Sequence, residues 1–519
     1  MTDTPRSALA WRGLARALLL AAVLPAAAAP MALAAATTSA SAVAAPRDGE
    51  PSRALKDKIS RAVTALDRND YVRADAAFAT ALADEGWPAL DSAARRAVLN
   101  GAAVAAAATG NASRAIALSR EATAFADSGA EDWIARFAVA VGVQDAADAR
   151  LDLTTIAGRY APALAELEPA QVVRVLGEAR ASPEPGAYVA LTDSLHRARY
   201  VPGDGASVDF AWRDLALDYL QRGDLPAAAA VLADIQSPHD LIMVATDRRF
   251  APLHGAKTTP AAVGAAAAAL AARYEADVRA HPRSLAAVTA LSRAWLDVGR
   301  NEDVLALTSQ TVARGRSGYL DGDVRFVWVV DYRCQALARL GRADEAMQCR
   351  NEAVAVADDG AAKNSERLAL AALYNSLGRA NEARAALATV DAAKESADGR
   401  TDIALNHLRA ACRLGDLKGV AAALEQLKAT APAPPAALIE GYLLAGEPDR
   451  AAGVLIALLK DPRSRPAALL EIQEFDGAPE GPLDRETAAR RTALVARADV
   501  TAALAPLGTV RRYPIRRRD

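Results

Sequence analysis

At 519 residues the chain can form several compact domains or one elongated array without a single large core. Its abundance of Ala, Leu, Arg, Asp and Glu, with only 5% aromatic residues, favours helices over sheets. A formal net charge of −2 excludes the broad basic surface that general nucleic-acid binding needs.

Residues 1–42 have the three-part pattern of a secretory signal. Arg6, Arg12 and Arg16 precede the apolar run LLLAAVLPAAAAPMALA, and small residues then offer cleavage sites at Ala32-Leu33-Ala34 and Ala40-Ser41-Ala42. Export to the periplasm or beyond follows as an expectation. An uncleaved anchor fits less well, because Pro25 and Pro30 interrupt a strongly apolar part that is short for a membrane span. A mitochondrial transit peptide is the lesser alternative. No later stretch is apolar enough to span a membrane stably.

From 53 to 202 the pattern suggests a divergent array of helical hairpins. Asn69-Asp70, Gly110-Asn111 and Gly142 are expected turns, with Ala62, Ala65, Ala74, Phe78, Ala81, Ala103, Ala106 and Ala115 on the packing faces. Between Glu168 and Asp209, Pro169, Pro183, Pro185 and the loop VPGDGASVD predict irregular helices and a linker at 203–209.

The clearest element follows in WRDLALDYLQRGDLPAAAAVL, residues 212–232. Trp212, Leu215, Ala216 and Tyr219 share one helical face. Gly223 stops that helix, and Ala228, Leu232 and Ile235 begin a second stripe. Ala216 and Ala228 are small where the two helices approach. The pattern recurs around Gly341, Gly378, Gly415 and Gly446, and more loosely around Gly299, where Val304 replaces the expected small residue. The intervals average near the repeat length of stacked helix pairs, about 34 residues. The array is expected over 210–475.

Cys334 and Cys349 flank Gly341 at nearly equal distances, so an antiparallel hairpin places them at the same height. A disulfide is predicted, leaving Cys412 free. Asp321-Gly322-Asp323 lacks the further ligands of a calcium loop and reads as a turn. Beyond the Gly/Pro-rich EFDGAPEGP, residues 476–519 are expected to form capping helices, from Asp484 to Ala496 and from Asp499, and a basic tail. Arg511, Arg512, Arg516, Arg517 and Arg518 crowd that tail, which reads as solvated or as a contact for an anionic surface.

The residues at Trp212 to Ile235, with their weaker copies from Val288 to about Pro462, resemble the tetratricopeptide repeat family over about half the chain. The fold expected is all-α, a right-handed superhelical solenoid of stacked antiparallel helix pairs. The resemblance implies a scaffold that binds a protein or peptide on the concave face lined by first helices; no cofactor and no metal are expected. Helical spacing places Arg213, Gln221, Arg293, Asp297, Asp331, Gln335, Arg339, Asn375, Arg409 and Arg413 on that face. The arginines suggest an acidic partner, because guanidinium pairs bidentately with carboxylate. No histidine pair, phosphate loop or nucleophile motif argues for catalysis: His196, His239, His254, His281 and His407 are scattered. An enzyme with an unrecognised site, or a surface-bound accessory protein held by the tail, are the alternatives.

Overall fold

A computed structural model describes residues 51–517, apart from 185, 204–206, 321–323, 358–360, 431–433 and 478–480. The expected export signal at 1–42, the Asp321-Gly322-Asp323 loop and Arg518 lie outside the described residues. The chain divides into two compact units, Met1–Val208 and Asp209–Asp519.

The first unit is four helical hairpins. Helices α1 (Arg53–Asp67) and α2 (Tyr71–Leu82) form one, α3 (Ser92–Ala108) and α4 (Ala112–Thr123) the next, then α5 (Ala130–Gly142) with α6 (Ala146–Arg159), and α7 (Pro169–Ala181) with α8 (Ala187–Arg197). The last pair corrects the expectation of irregular structure after Glu168. Pro169 takes the first helical position, where its missing N–H costs nothing, and Pro183 comes only after the helix has ended.

The second unit continues the scheme with seven pairs: α9 (Asp209–Gln221) and α10 (Leu225–Asp234), α11 (Pro238–Thr246) and α12 (Pro260–Ala280), α13 (Leu285–Asp297) and α14 (Asn301–Arg314), α15 (Val324–Arg339) and α16 (Ala343–Val356), α17 (Ala361–Ser376) and α18 (Ala380–Leu387), α19 (Ala397–Leu414) and α20 (Leu417–Ala429), and α21 (Pro435–Leu444) with α22 (Pro448–Lys460). A C-terminal segment follows: α23 (Arg465–Glu471), β1 (Glu474–Phe475), α24 (Pro482–Val495), α25 (Ala498–Leu504) and β2 (Arg512–Tyr513).

The turns explain why the hairpins form where they do. At α9–α10 the left-handed residue is Gly223, with φ of 79°. In the first unit Asn69 and Gln144 take this role, so the turn expected at Gly142 lies two residues later. The following residue then caps the second helix. Asp70, Asp145, Asp224 and Asp416 each accept a hydrogen bond from the backbone N–H three residues on. Where Arg300, Arg342 or Arg379 stands there instead, its guanidinium pairs with Asp303, Glu345 or Glu382, also three residues on. Arg300 and Arg379 also lie over the rings of Trp295 and Tyr374, at 4.6 and 5.1 Å.

Packing confirms the role read for the small residues. Ala216 and Ala228 are fully buried, as are Ala371 and Ala383, and Trp212 lies in the core rather than on a surface. Successive pairs are then joined by polar contacts across about one repeat length. Asn100 donates to Asp132 at 2.8 Å, Arg114 pairs with Asp75 at 2.7 Å, and Arg384 pairs with Asp416 at 2.9 Å. Each such contact ties neighbouring hairpins, which one hairpin alone could not do. Among the described residues no helix is long and apolar enough to cross a membrane.

Candidate binding face

First helices of adjacent pairs touch in the second unit, α13 with α15, α17 with α19 and α19 with α21, and the expected face runs along them. The ten residues predicted for it divide into three groups.

Three are buried and already partnered, which corrects their assignment as ligand contacts. Arg213 is 4% exposed and pairs with Asp240 of α11 at 2.6 Å and Asp214 at 3.1 Å. Asn375, 1% exposed, donates to the carbonyl of Asn406 at 3.0 Å. Asp297, 5% exposed, ends α13, and its carbonyl accepts from the backbone N–H of Arg516 at 2.7 Å. For Arg213 and Asn375 the next repeat supplies the partner, and for Asp297 the C-terminal segment does.

Four more are half-buried and engaged. Gln335 donates to Asp331 at 2.7 Å, and Asp331 pairs with Arg350 at 2.5 Å. Arg350 reaches Glu366 at 3.4 Å, where burial pushes the Glu366 carboxyl up despite that guanidinium. Arg339 donates to the carbonyl of Leu296 at 3.2 Å. Arg409 pairs with Glu440 of α21 at 2.7 Å. Gln221, Arg293 and Arg413 remain exposed. The arginine-rich face is therefore mostly neutralised from within, and its exposed cations among the predicted set are Arg293 and Arg413.

Cys334 and Cys349 are joined by a disulfide across the α15–α16 hairpin, with Cα atoms 5.6 Å apart. Cys412 is free and half-buried, its thiol facing the carbonyl of Leu444 at 3.5 Å.

The C-terminal segment lies against the same set of helices. The terminal helices span Pro482–Val495 and Ala498–Leu504, near their expected bounds. The last described residues depart from one of the two expectations: instead of a solvated tail they form a strap with a buried side. Tyr513 is 0% and Ile515 1% exposed, and β2 pairs in parallel with β1 through Glu474–Arg512 and Phe475–Tyr513. On the other side Gly508 bridges to Asp247, Thr509 donates to the carbonyl of Thr246 at 3.0 Å, and Arg248 donates to that of Leu507 at 2.9 Å.

These contacts have one chemistry. The last carbonyls of a helix lack partners within it and carry partial negative charge. Thr509 N–H meets the end of α11 at Thr246, Arg516 N–H the end of α13 at Asp297, and the Arg490 guanidinium the end of α21 at Leu443 and Leu444. At the end of α17 the Ser376 hydroxyl bonds the Asp484 carboxylate. Leu483 adds an apolar anchor among Leu405, Leu408 and Leu424. Arg511 donates to the carbonyl of Thr258 at 3.2 Å and Arg517 pairs with Glu471, so these two arginines face inward. The surface-anchor reading of the tail loses them. Arg512, paired with Asp476 at 2.9 Å, stays largely exposed.

Space is cleared for the strap. A Cβ on Gly264 of α12 would stand 2.7 Å from Pro514 Cγ, and one on Gly477 would stand 2.9 Å from the Arg516 guanidinium. Sequence reading missed this site because two apolar residues among five arginines resemble a charged tail. The available signal was the alternation in Arg-Tyr-Pro-Ile-Arg, which sends Tyr513 and Ile515 to one side of an extended strand.

The first unit holds a strongly perturbed acid. Asp152 of α6 is fully buried beside Arg136 at 3.0 Å, and burial raises its pKa to about 8. Asp148, paired with Arg120 at 2.8 Å, stays below the usual carboxylate range because that guanidinium bonds it. Among the described residues no three His, Cys, Asp or Glu side chains gather as a metal site.

Comparison with protein-family descriptions and with curated proteins finds no match. Several solved helical arrays share the general arrangement. Yeast Tom70 is 10% identical, with 88% of this chain and 99% of that one covered and a TM-score of 0.28. The corresponding values for the Cut9-Hcn1 hetero-tetramer of the APC/C are 15%, 87%, 89% and 0.27. For the maize pentatricopeptide repeat protein PPR10 they are 14%, 86%, 68% and 0.23. These scores do not superpose the arrays, so the architecture rests on the hairpins themselves.

Proposed function

We propose that this chain is a non-catalytic scaffold that binds a protein or peptide along the first-helix face of its second unit. The observation that supports the reading is that first helices of this unit already seat a segment of the chain itself: α24 packs on α17 and α21, and the end carbonyls of α11, α13 and α21 accept from Thr509, Arg516 and Arg490. Extended arrays of helical hairpins use such faces for binding. The exposed Arg293 and Arg413 each offer a fork for a partner carboxylate. The acidic character proposed for the partner is accordingly local, confined to the groups that meet these two residues.

Export is part of the same proposal. The charged, apolar and small-residue pattern of residues 1–42 supports it. So does the Cys334–Cys349 pair, since structural disulfides persist in oxidising compartments.

Crosslinking capture in cells expressing the chain tests the reading. The double variant Arg293→Ala/Arg413→Ala should lose the partner captured by wild type while keeping its helical signal. Undiminished capture by that variant would remove the proposed face.

A further inference from the structure

We propose that the strap formed by residues 508–517 is exchangeable, and that its slot accepts an extended basic peptide in trans, with an aromatic residue followed two positions later by an aliphatic one. The inference rests on reading the first-helix face as a binding surface.

The slot defines this ligand. One edge is the backbone of β1 and Asp476, whose N–H groups meet the carbonyls of Arg511, Tyr513 and Ile515. The opposite side is the end of α11, where Thr246 and Arg248 exchange backbone hydrogen bonds with Thr509 and Leu507. An extended segment whose backbone bonds the end of α11 at 507–509 and β1 at 511–515 is recognised through its main chain, while alternate side chains give specificity. Here those side chains are Tyr513 and Ile515, fully enclosed. Glu471 takes the Arg517 guanidinium and the carbonyl of Thr258 takes that of Arg511.

The fit of the strap is imperfect: the Tyr513 hydroxyl is buried without a hydrogen-bond partner, and burial raises its pKa to about 12. An unmade hydrogen bond at a buried group opposes closure. A ligand with Phe at that position avoids the cost and should outcompete the strap.

The test uses the full chain and labelled peptides spanning residues 506–517. The Tyr513→Phe peptide should bind at least about 5-fold tighter than the native sequence, and a Tyr513→Ala/Ile515→Ala peptide should not bind. Hydrogen exchange should show the chain's own Thr509, Arg511 and Arg516 amides opening at least about 100-fold faster than those of α19, and faster still with the Phe peptide present. Equal binding of all three peptides would reduce the effect to charge and overturn the proposal. Strap amides that exchange only with global unfolding would overturn it as well. The full-length Tyr513→Ala/Ile515→Ala variant should take up the native peptide at least about 10-fold more tightly. Should that variant misfold, exchange in the wild-type chain still decides. A permanently closed strap together with capture that depends on Arg293 and Arg413 would sink this inference alone.

Discussion

The backbone N–H of Arg516 donates to the carbonyl of Asp297 at 2.7 Å, joining the last described residues of the chain to the end of a helix near the start of the second unit's array. Asp297 belongs to the residues that helical spacing assigned to a ligand. In the folded chain its backbone is met by the chain's own C-terminal strap.

Close approach along the strap predicts an asymmetry between two glycines. Gly264→Ala should destabilise the second unit by about 1–3 kcal/mol, because the new methyl meets Pro514 at 2.7 Å. Gly453→Ala, in α22 with nothing within 4 Å, should stabilise it by about 0.5–1 kcal/mol through helix propensity. Denaturant titration of both variants checks the signs.

The buried Asp152 sets a pH dependence. Its folded pKa of about 8 lies above its ordinary value of 3.8, so the folded state holds the proton more tightly between those limits. Its contribution is full below the unfolded pKa and is lost as pH rises through about 8. Wild type should lose stability at this site between pH 5 and pH 8, and Asp152→Asn should flatten that slope. Matching slopes in the two proteins would contradict the assignment.

Cys334 and Cys349 close a loop with a sequence separation of 15. Replacing both with Ser should cost about 2–3 kcal/mol. Thermal unfolding should show the same loss for wild type under reductant, with little further loss in the double variant.

Arg409 and Arg413 sit on one helix and should behave oppositely. Arg409→Ala leaves Glu440 without its guanidinium, costing about 1–3 kcal/mol. Arg413→Ala removes an exposed cation and should change stability by less than about 0.5 kcal/mol while weakening partner capture. Paired stability and capture measurements on the two variants separate the roles.

The hairpins were legible because their rules are local: a left-handed residue, a capping Asp or paired Arg, and small residues at the closest approach. Trp212, Ala216, Ala228 and Gly223 carry that information within one short stretch. The face was legible only in part. Periodicity places Arg213, Asn375 and Arg409 toward it, but their partners Asp240, Asn406 and Glu440 lie 27 to 31 residues onward, in the next repeat. Looking one repeat ahead for a complementary side chain was the missing step. The strap was hidden for a further reason, since its contacts are to main-chain carbonyls distant in sequence, and residue types do not reveal those.

The central claim is that a partner is held on the first-helix face of the second unit. A photo-crosslinking residue placed at Arg293 or Arg413, and as a control at the exposed Arg450 of α22, tests it in cells that express the chain. The account predicts one discrete adduct from Arg293 and Arg413 and none from Arg450. Adducts from Arg450 alone, or equally from all three positions, would contradict it.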